Sequence, residues 1–482
     1  MKRVFPFVIT LLGIGALIGH ALPVGFAGRI DAAPRPKPRE LIVKLKDSTS
    51  AVGLFSSRSN DDEPSGVKRF AGRIAVPLIS NRVGESLKRS NSRAHRAISG
   101  RGLDRIAIVE LGADEDAAAV ISELAARYDV EWVEANGGIK LGAIPNDPSF
   151  VQQWAMLNLG FGVGEFPSTA GADIKAYAAW DVTEGEPGIR VAVSDTGIDR
   201  SHPELEGRIY TNAGEVPDNG IDDDHNGYVD DVHGFNVADN NGDTSDAAGH
   251  GTQMAGLISA ISNNEIGIAG VSRATLIPVR FFKRTGPLPE DFDATVGDAA
   301  RSLIYAIAAG AQIINASWTT LLNPGEVSGT DSRALSEAVT ATSDAGVLLV
   351  CIAGNDGFNN DFSKVYPGAY ALPNEIVVGA TDFNDTMWHP PFNPFFLQSG
   401  FGEKSVHLAA PGVSVITTTA HGDCFTCSPS DNPNDWYVTV NGTSLSAALV
   451  SGVAALVMTK YPADNVFVIK RRILAGVQPV PA

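Results

Sequence analysis

The sequence predicts an α/β protein with a mainly parallel sheet covered by helices on both faces, preceded by a small α+β module. Three observations carry that expectation. From about residue 144 onward, short and nearly continuous apolar runs alternate with helical stretches, the pattern of strands buried on both faces. Before that point the order is strand, strand, helix, strand over about 100 residues, an ordinary domain size. Charge divides at the same place: residues 1–140 carry 21 Lys and Arg against 16 Asp and Glu, a net of +5, while residues 141–482 carry 16 against 39, a net of −23. An acidic main body excludes nucleic acid as a partner.

In chain order, residues 1–27 read as an export signal. Lys2 and Arg3 precede an apolar run over 4–18, and the small residues Gly25 and Ala27 suit a signal peptidase. Pro6 and the shortness of the run argue for cleavage rather than anchoring, and no later stretch is long and apolar enough to span a bilayer. The expectation is a secreted monomer without a membrane anchor. Residues 28–142 form the small module: a Pro-rich basic linker at 33–39, strands at 40–46, 105–111 and 130–135, and a helix at 115–128. Residues 48–105 between them are polar, with a basic cluster running from Arg82 to Arg105.

Residues 143–482 form the main body. Strands are expected at 189–194, 275–282, 312–316, 347–352 and 375–380, and helices at 250–261, 292–309, 332–344 and 444–458. Three cysteines make no disulfide framework. Cys424 and Cys427 are close enough to pair, and a zinc site would need further ligands that the neighbourhood lacks. Cys351 lies in an apolar strand as a small core residue.

Reactive groups in parallel sheets gather at the carboxyl ends of strands. Asp195 stands at such an end, followed by Thr196 and Gly197; Asn355 stands at another, followed by Asp356 and Gly357. His250 opens one helix and Ser444 opens another, just past Gly442. Each has a plainer reading: a turn, a cap, a surface histidine. Together they supply a nucleophile, a general base, a residue orienting that base and a donor for an oxyanion, which is what acyl transfer needs. A serine at a helix start also sits beside unpaired N–H groups, where negative charge is stabilised.

The blocks V-A-V-S-D-T-G-I-D, H-G-T-Q-M-A-G, A-G-N and N-G-T-S-L-S-A, in this order, resemble the Asp, His, oxyanion-Asn and Ser blocks of the subtilisin-like serine proteases over roughly residues 145–475. The resemblance implies a three-layer α/β/α sandwich acting on protein or peptide substrates. Ser444 is then the nucleophile, His250 the general base and Asp195 its orienting partner. Asn355 and the Ser444 N–H stabilise the oxyanion, and substrate lies against Ser317, Trp318, Thr319, Ala353 and Gly354. The module at 28–142 resembles the family's inhibitory, folding-assisting propeptide, with cleavage near 140–143. Where the family has His after H-G-T, this chain has Gln253; Ser446, Ala448 and Leu449 replace Ala, Pro and His; and Thr319 and Thr320 replace glycines. The threonines place Cβ atoms where substrate approaches and predict a narrow P1 pocket that disfavours aromatic residues. The competing reading is a catalytically weak, calcium-dependent binding protein on the same scaffold; a metal-dependent hydrolase is excluded for want of a His-Glu-x-x-His cluster.

Calcium is expected at two places. Asp222, Asp224, Asn226 and Gly227 reproduce the start of a calcium loop, which Asp230 and Asp231 would close. The family resemblance implies a second site from Asp147, Glu204 and Asn264, with backbone oxygens of Ile261, Ile266 and Ile268; Glu204 replaces the family's Asp.

Overall fold

A computed structural model of the chain describes residues 40–46, 68–79, 86, 88–89, 92–112, 115–136, 144–246, 248–286, 292–320, 331–389, 397–422 and 426–479. The signal-like segment, the expected cleavage region at 140–143 and Cys424 lie outside these residues. The chain forms two compact units, Met1–Leu141 and Gly142–Ala482.

The first unit contains an antiparallel sheet in the order Lys68–Phe70, Arg73–Pro77, Ile106–Glu110, Glu40–Leu45, Val130–Ala135. Glu40–Leu45 has a period of two: Leu41, Val43 and Leu45 are buried and the residues between them half-buried. Asp116 caps the helix Ala117–Ala125 by accepting from Ala119 N at 2.9 Å. Val120 and Leu124, one turn apart on that helix, join the sheet's core. The hairpin Lys68–Pro77 and the helix Ser92–Gly100 arise within the stretch read as merely polar. The hairpin turns on Ala71 and Gly72, both with positive φ (49° and 81°), and Ala-Gly lacks the usual Asn-Gly or Asp-Gly signature.

The second unit is built on a seven-stranded sheet in which every pairing is parallel. Its order is Leu408–Pro411, Glu375–Thr381, Leu348–Ile352, Ile313–Ala316, Arg190–Asp195, Thr275–Arg280, Phe235–Asn236. Successive side chains divide between two cores. Val191, Val193, Ile313, Leu348 and Val350 enter one, with Met254 and Leu257 of the helix His250–Ser259 and Leu445 and Leu449 of the helix Thr443–Lys460. Ala192, Ile314, Leu349 and Cys351 enter the other, with Leu303 of the helix Val296–Ala308 and Leu335 and Val339 of the helix Arg333–Asp344. This is the three-layer α/β/α sandwich. Contrary to the sequence expectation, the helix Thr443–Lys460 is long and apolar enough by composition to cross a membrane, but its most apolar window is 72% buried, as a core helix is. The edge strands Phe235–Asn236 and Leu408–Pro411 and the terminal helix Val466–Ala475 complete the unit.

The chain lays down Arg190–Asp195, builds outward on one side of it, then crosses to Ile313–Ala316 on the other. The order reverses between these two central strands, and the crevice at their carboxyl ends is where ligands bind in open α/β sheets. Asp195 ends one of them and Ser317 follows the other.

Candidate active site

Asp195 is 1% exposed at the end of its strand. Its Oδ1 accepts from Thr196 N at 2.8 Å and lies 2.8 Å from His250 Nδ1. Two glycines permit this approach. Gly197 has φ 114°, and a Cβ there would lie 2.4 Å from Ser245 O. A Cβ on Gly251 would lie 2.0 Å from Gly197 O, so the helix opened by His250 closes on the Asp195 turn only without a side chain at 251. Asp246 secures that helix start, accepting from the N–H groups of Ala248, Gly249 and Thr252 and from the hydroxyls of Thr196 and Thr252. Burial works against a charged His250 ring, but the Asp195 charge and hydrogen bond, aided by Asp246, outweigh it and raise its pKa. With Nδ1 engaged by the carboxylate, Nε2 is the nitrogen left to take a proton. The His250 side chain is one-third exposed.

Ser444 is the second residue of the helix Thr443–Lys460 and 8% exposed. Its hydroxyl donates to Ser317 O at 3.4 Å, and no hydrogen bond joins it to His250 among the described residues. Catalytic hydrogen bonds are often open without substrate and tighten on it. The backbone around the serine is firmly held. Ser451 Oγ donates to Asn315 Oδ1, Asn315 Nδ2 to Ser317 Oγ, and Ser317 Oγ to Ser444 O, at 2.9, 2.9 and 3.1 Å. All four side chains are buried, so the network fastens the first turns of the serine helix to the central strand.

Asn355 Oδ1 accepts from both Thr443 N (2.9 Å) and Thr443 Oγ1 (2.8 Å). Two donors on the oxygen assign the amide's orientation and leave Nδ2 as the outward donor. Thr443 is thus a functional residue that sequence reasoning missed. Trp318 is buried, with Nε1 donating to Ser194 Oγ at 3.2 Å and its ring edge-on to Phe281. Thr319 and Thr320 are half-buried, and Thr320 N donates to Tyr366 O at 3.0 Å. Ala353 and Gly354 follow the neighbouring strand Leu348–Ile352, and Gly354 has φ 87°.

The departures beside His250 and Ser444 are accommodated, whereas the Thr320 hydroxyl is buried without a hydrogen-bond partner among the described residues. Ser446 Oγ donates to Ala410 O and Pro411 O, and Gln253 Nε2 donates to Thr426 Oγ1 at 3.0 Å. Ala448 and Leu449 are fully buried in the core. Cys427 is disulfide-bonded, whereas Cys351 is free and its burial pushes the thiol up.

The acidic loop gathers differently from the sequence expectation. Asp222 and Asp224 come together with Glu215, with ligand oxygens within 4.8 Å of one another. Asp230 does not close this group: its oxygens accept from Asn219 N and Gly220 N. Asp231 is buried instead, accepting from Tyr305 OH at 2.9 Å and from Asn212 and Asn226 amides. Asn226 turns its N–H groups toward Asp222, Asp224 and Asp231. Three hard carboxylates at this spacing fit a calcium ion.

The second set also assembles. Asp147 accepts from Asn263 N at 2.8 Å; Glu204 accepts from Ile268 N (2.7 Å), Asn264 Nδ2 (3.0 Å) and Tyr437 OH (3.0 Å). Ile261 contributes its N–H, to Glu204 O, and Ile266 its N–H, to Asn264 Oδ1. Burial raises Glu204 to about 7. Donors face these carboxylates, as they face those of Glu215, Asp222 and Asp224 in the acidic loop.

The family model described as the subtilase family matches residues 186–477. The chain is 32% identical over 473 residues to the extracellular basic protease of Dichelobacter nodosus, covering 94% of this chain and 69% of that protein. It is 31% identical over 285 residues to the thermophilic serine proteinase of Bacillus sp. strain AK1, covering 58% of this chain and only 55% of that protein. Thermitase of Thermoactinomyces vulgaris is 29% identical over 290 residues, 60% of this chain and 80% of that one. A solved protease structure from Pseudoalteromonas arctica has the same fold, with a TM-score of 0.51 at 24% identity over 70% of this chain and 94% of that one. With the Asp195–His250 pair, Asn355 and Ser444 at the carboxyl edge of one parallel sheet, and with the family model spanning most of the second unit, the chain belongs to the subtilase family.

Proposed function

We propose that the protein is a serine endopeptidase. The observation that carries this is the 2.8 Å bond from His250 Nδ1 to Asp195 Oδ1, which leaves Nε2 as the base. Ser444 Oγ attacks the scissile carbonyl while its proton passes to His250 Nε2. Asn355 Nδ2 and the Ser444 N–H hold the resulting oxyanion. His250 then gives the proton to the leaving amine, and an acyl-enzyme remains on Ser444. Water, deprotonated by His250, hydrolyses that ester and restores the serine. The binding-protein reading is not favoured, since the unusual residues Gln253, Ser446, Ala448 and Leu449 are buried and, where polar, hydrogen-bonded.

The finer reading is a secreted zymogen. Residues 1–27 direct export, and residues 28–142 act as a propeptide inhibiting the acidic body, to which their basic charge is complementary. Glu215, Asp222 and Asp224 are the residues to hold calcium, whose binding stabilises the folded state by mass action. The test is digestion of a peptide library by the processed protein, with Ser444→Ala as control. Cleavage by the first and none by the second supports the reading; equal profiles with and without Ser444 refute it.

A further inference from the structure

The antiparallel hairpin Val415–Thr418 and Tyr437–Val440 precedes the serine helix, and the chain between its strands makes a long excursion. Part of that excursion rests on the start of the His250 helix. Thr426 N and Thr426 Oγ1 both donate to Ala248 O, at 3.2 and 2.7 Å. The same hydroxyl accepts from Gln253 Nε2 at 3.0 Å. One oxygen thus ties the residue two before His250 to the residue three after it. Gly249 makes room: a Cβ there would lie 2.5 Å from Thr426 Oγ1 and 3.3 Å from Cys427 N.

Other contacts fix the hairpin and its excursion. Thr417 Oγ1 and Thr418 Oγ1 donate to Gln253 O and Thr252 O, at 2.6 and 2.7 Å. His421 N donates to Asp199 Oδ2 at 2.9 Å, four residues past Asp195. Ser428 N donates to Ala420 O at 2.8 Å, and Cys427 between these anchors is disulfide-bonded. The hairpin therefore touches both segments that carry the Asp195–His250 pair. His250 is the first residue of its helix, where a chain would fray unless held from outside.

We propose that Thr426 is a positioning residue for His250: its hydroxyl, held by Gln253 and Ala248, fixes the first helical turn so that the imidazole meets both Asp195 and the serine. Gln253 serves this arrangement in place of the histidine found in the family block, since its amide reaches the Thr426 oxygen. The inference rests on the serine-peptidase reading. A displacement of the base by a fraction of an ångström costs rate rather than substrate affinity, on the order of tenfold to a hundredfold.

The test compares Thr426→Val, Thr426→Ser and Gln253→Met with the wild type, following kcat, KM and the pH profile of kcat/KM on one peptide substrate. Wild-type turnover first establishes the peptidase reading; without it that reading fails, whatever the variants do. Given turnover, Thr426→Val is expected to lower kcat about tenfold or more at unchanged KM. Its acid limb should move to lower pH, because a looser Asp195 contact raises the His250 pKa less. Thr426→Ser should restore both, and Gln253→Met, which removes the donor from the other side, should reproduce a smaller part of the loss. Wild-type kcat and pH profile in Thr426→Val overturn the proposal. So does an equal loss in Thr426→Val and Thr426→Ser, which would make the hydroxyl irrelevant. Should Thr426→Val not fold, Gln253→Met decides by the same two readouts.

Discussion

Asn355 and Thr443 allow a quantitative test of how the oxyanion donor is held. Asn355→Leu keeps side-chain bulk but removes the Nδ2 donor. The expected cost is ~10²–10³-fold in kcat, about 2.7–4 kcal/mol, the loss known for subtilisin's own oxyanion asparagine. Thr443→Val removes one of the two donors to Asn355 Oδ1 and leaves the other, Thr443 N at 2.9 Å. The amide still cannot flip without setting Nδ2 against that N–H, so orientation is weakened rather than lost. One neutral hydrogen bond is worth about 0.5–1.5 kcal/mol, which makes the expected loss roughly two- to tenfold in kcat with KM unchanged. The two effects share one amide and should not add. In an Asn355→Leu background, Thr443→Val is therefore expected to cost less than about twofold. Steady-state kinetics of the four proteins, with melting temperatures as controls for folding, measures the cycle. An equal Thr443→Val loss in both backgrounds would refute the claim that Thr443 acts through Asn355.

Further predictions follow from charge, metal and pocket shape. The Asp195 charge holds the His250 ring protonated to a higher pH than an ordinary imidazole, and the base must be neutral to act. Thus kcat/KM should fall on acidification with an apparent pKa above about 6.5; an acid limb below that value would contradict the assigned pair. In a Ser444→Ala background, which prevents self-digestion, excess EGTA should lower the melting temperature, and Glu215→Gln with Asp222→Asn should abolish the difference. An unchanged melting temperature in EGTA would exclude a structural calcium ion at this loop. Thr319 and Thr320 should disfavour aromatic P1 residues, and a clear Phe or Tyr preference in the peptide profile would overturn that reading.

Much of the fold was legible because its central elements carry local signatures. Val191–Val193 and Leu348–Ile352 are unbroken apolar runs, as strands covered on both faces must be, and the expected boundaries lie close to the observed ones. Elements at the margins were not legible. Leu408–Pro411 is a four-residue edge strand ending in proline, and the hairpin before the serine helix is held by threonine hydroxyls that give no apolar period. The helix Val466–Ala475 opens with β-branched residues that favour strands in isolation. Asp195, His250, Asn355 and Ser444 could be singled out because each ends or opens a recognisable element. Their supports could not. Glu215 lies outside the repeating Asp222–Asp224 pattern it joins, and Thr426 reaches Ala248 across 178 residues. Asn315 and Ser451 are likewise ordinary in sequence, and only the packing of a strand against a helix makes them partners.

The central claim is that Ser444 is an activated nucleophile in a subtilase site. A fluorophosphonate probe reacts with such a serine and with no ordinary helix cap, and peptide mapping locates the adduct. The account predicts stoichiometric labelling of the processed protein at Ser444, abolished in Ser444→Ala and strongly slowed in His250→Ala. A folded, processed protein that takes no label, or takes it equally well without Ser444, would contradict it.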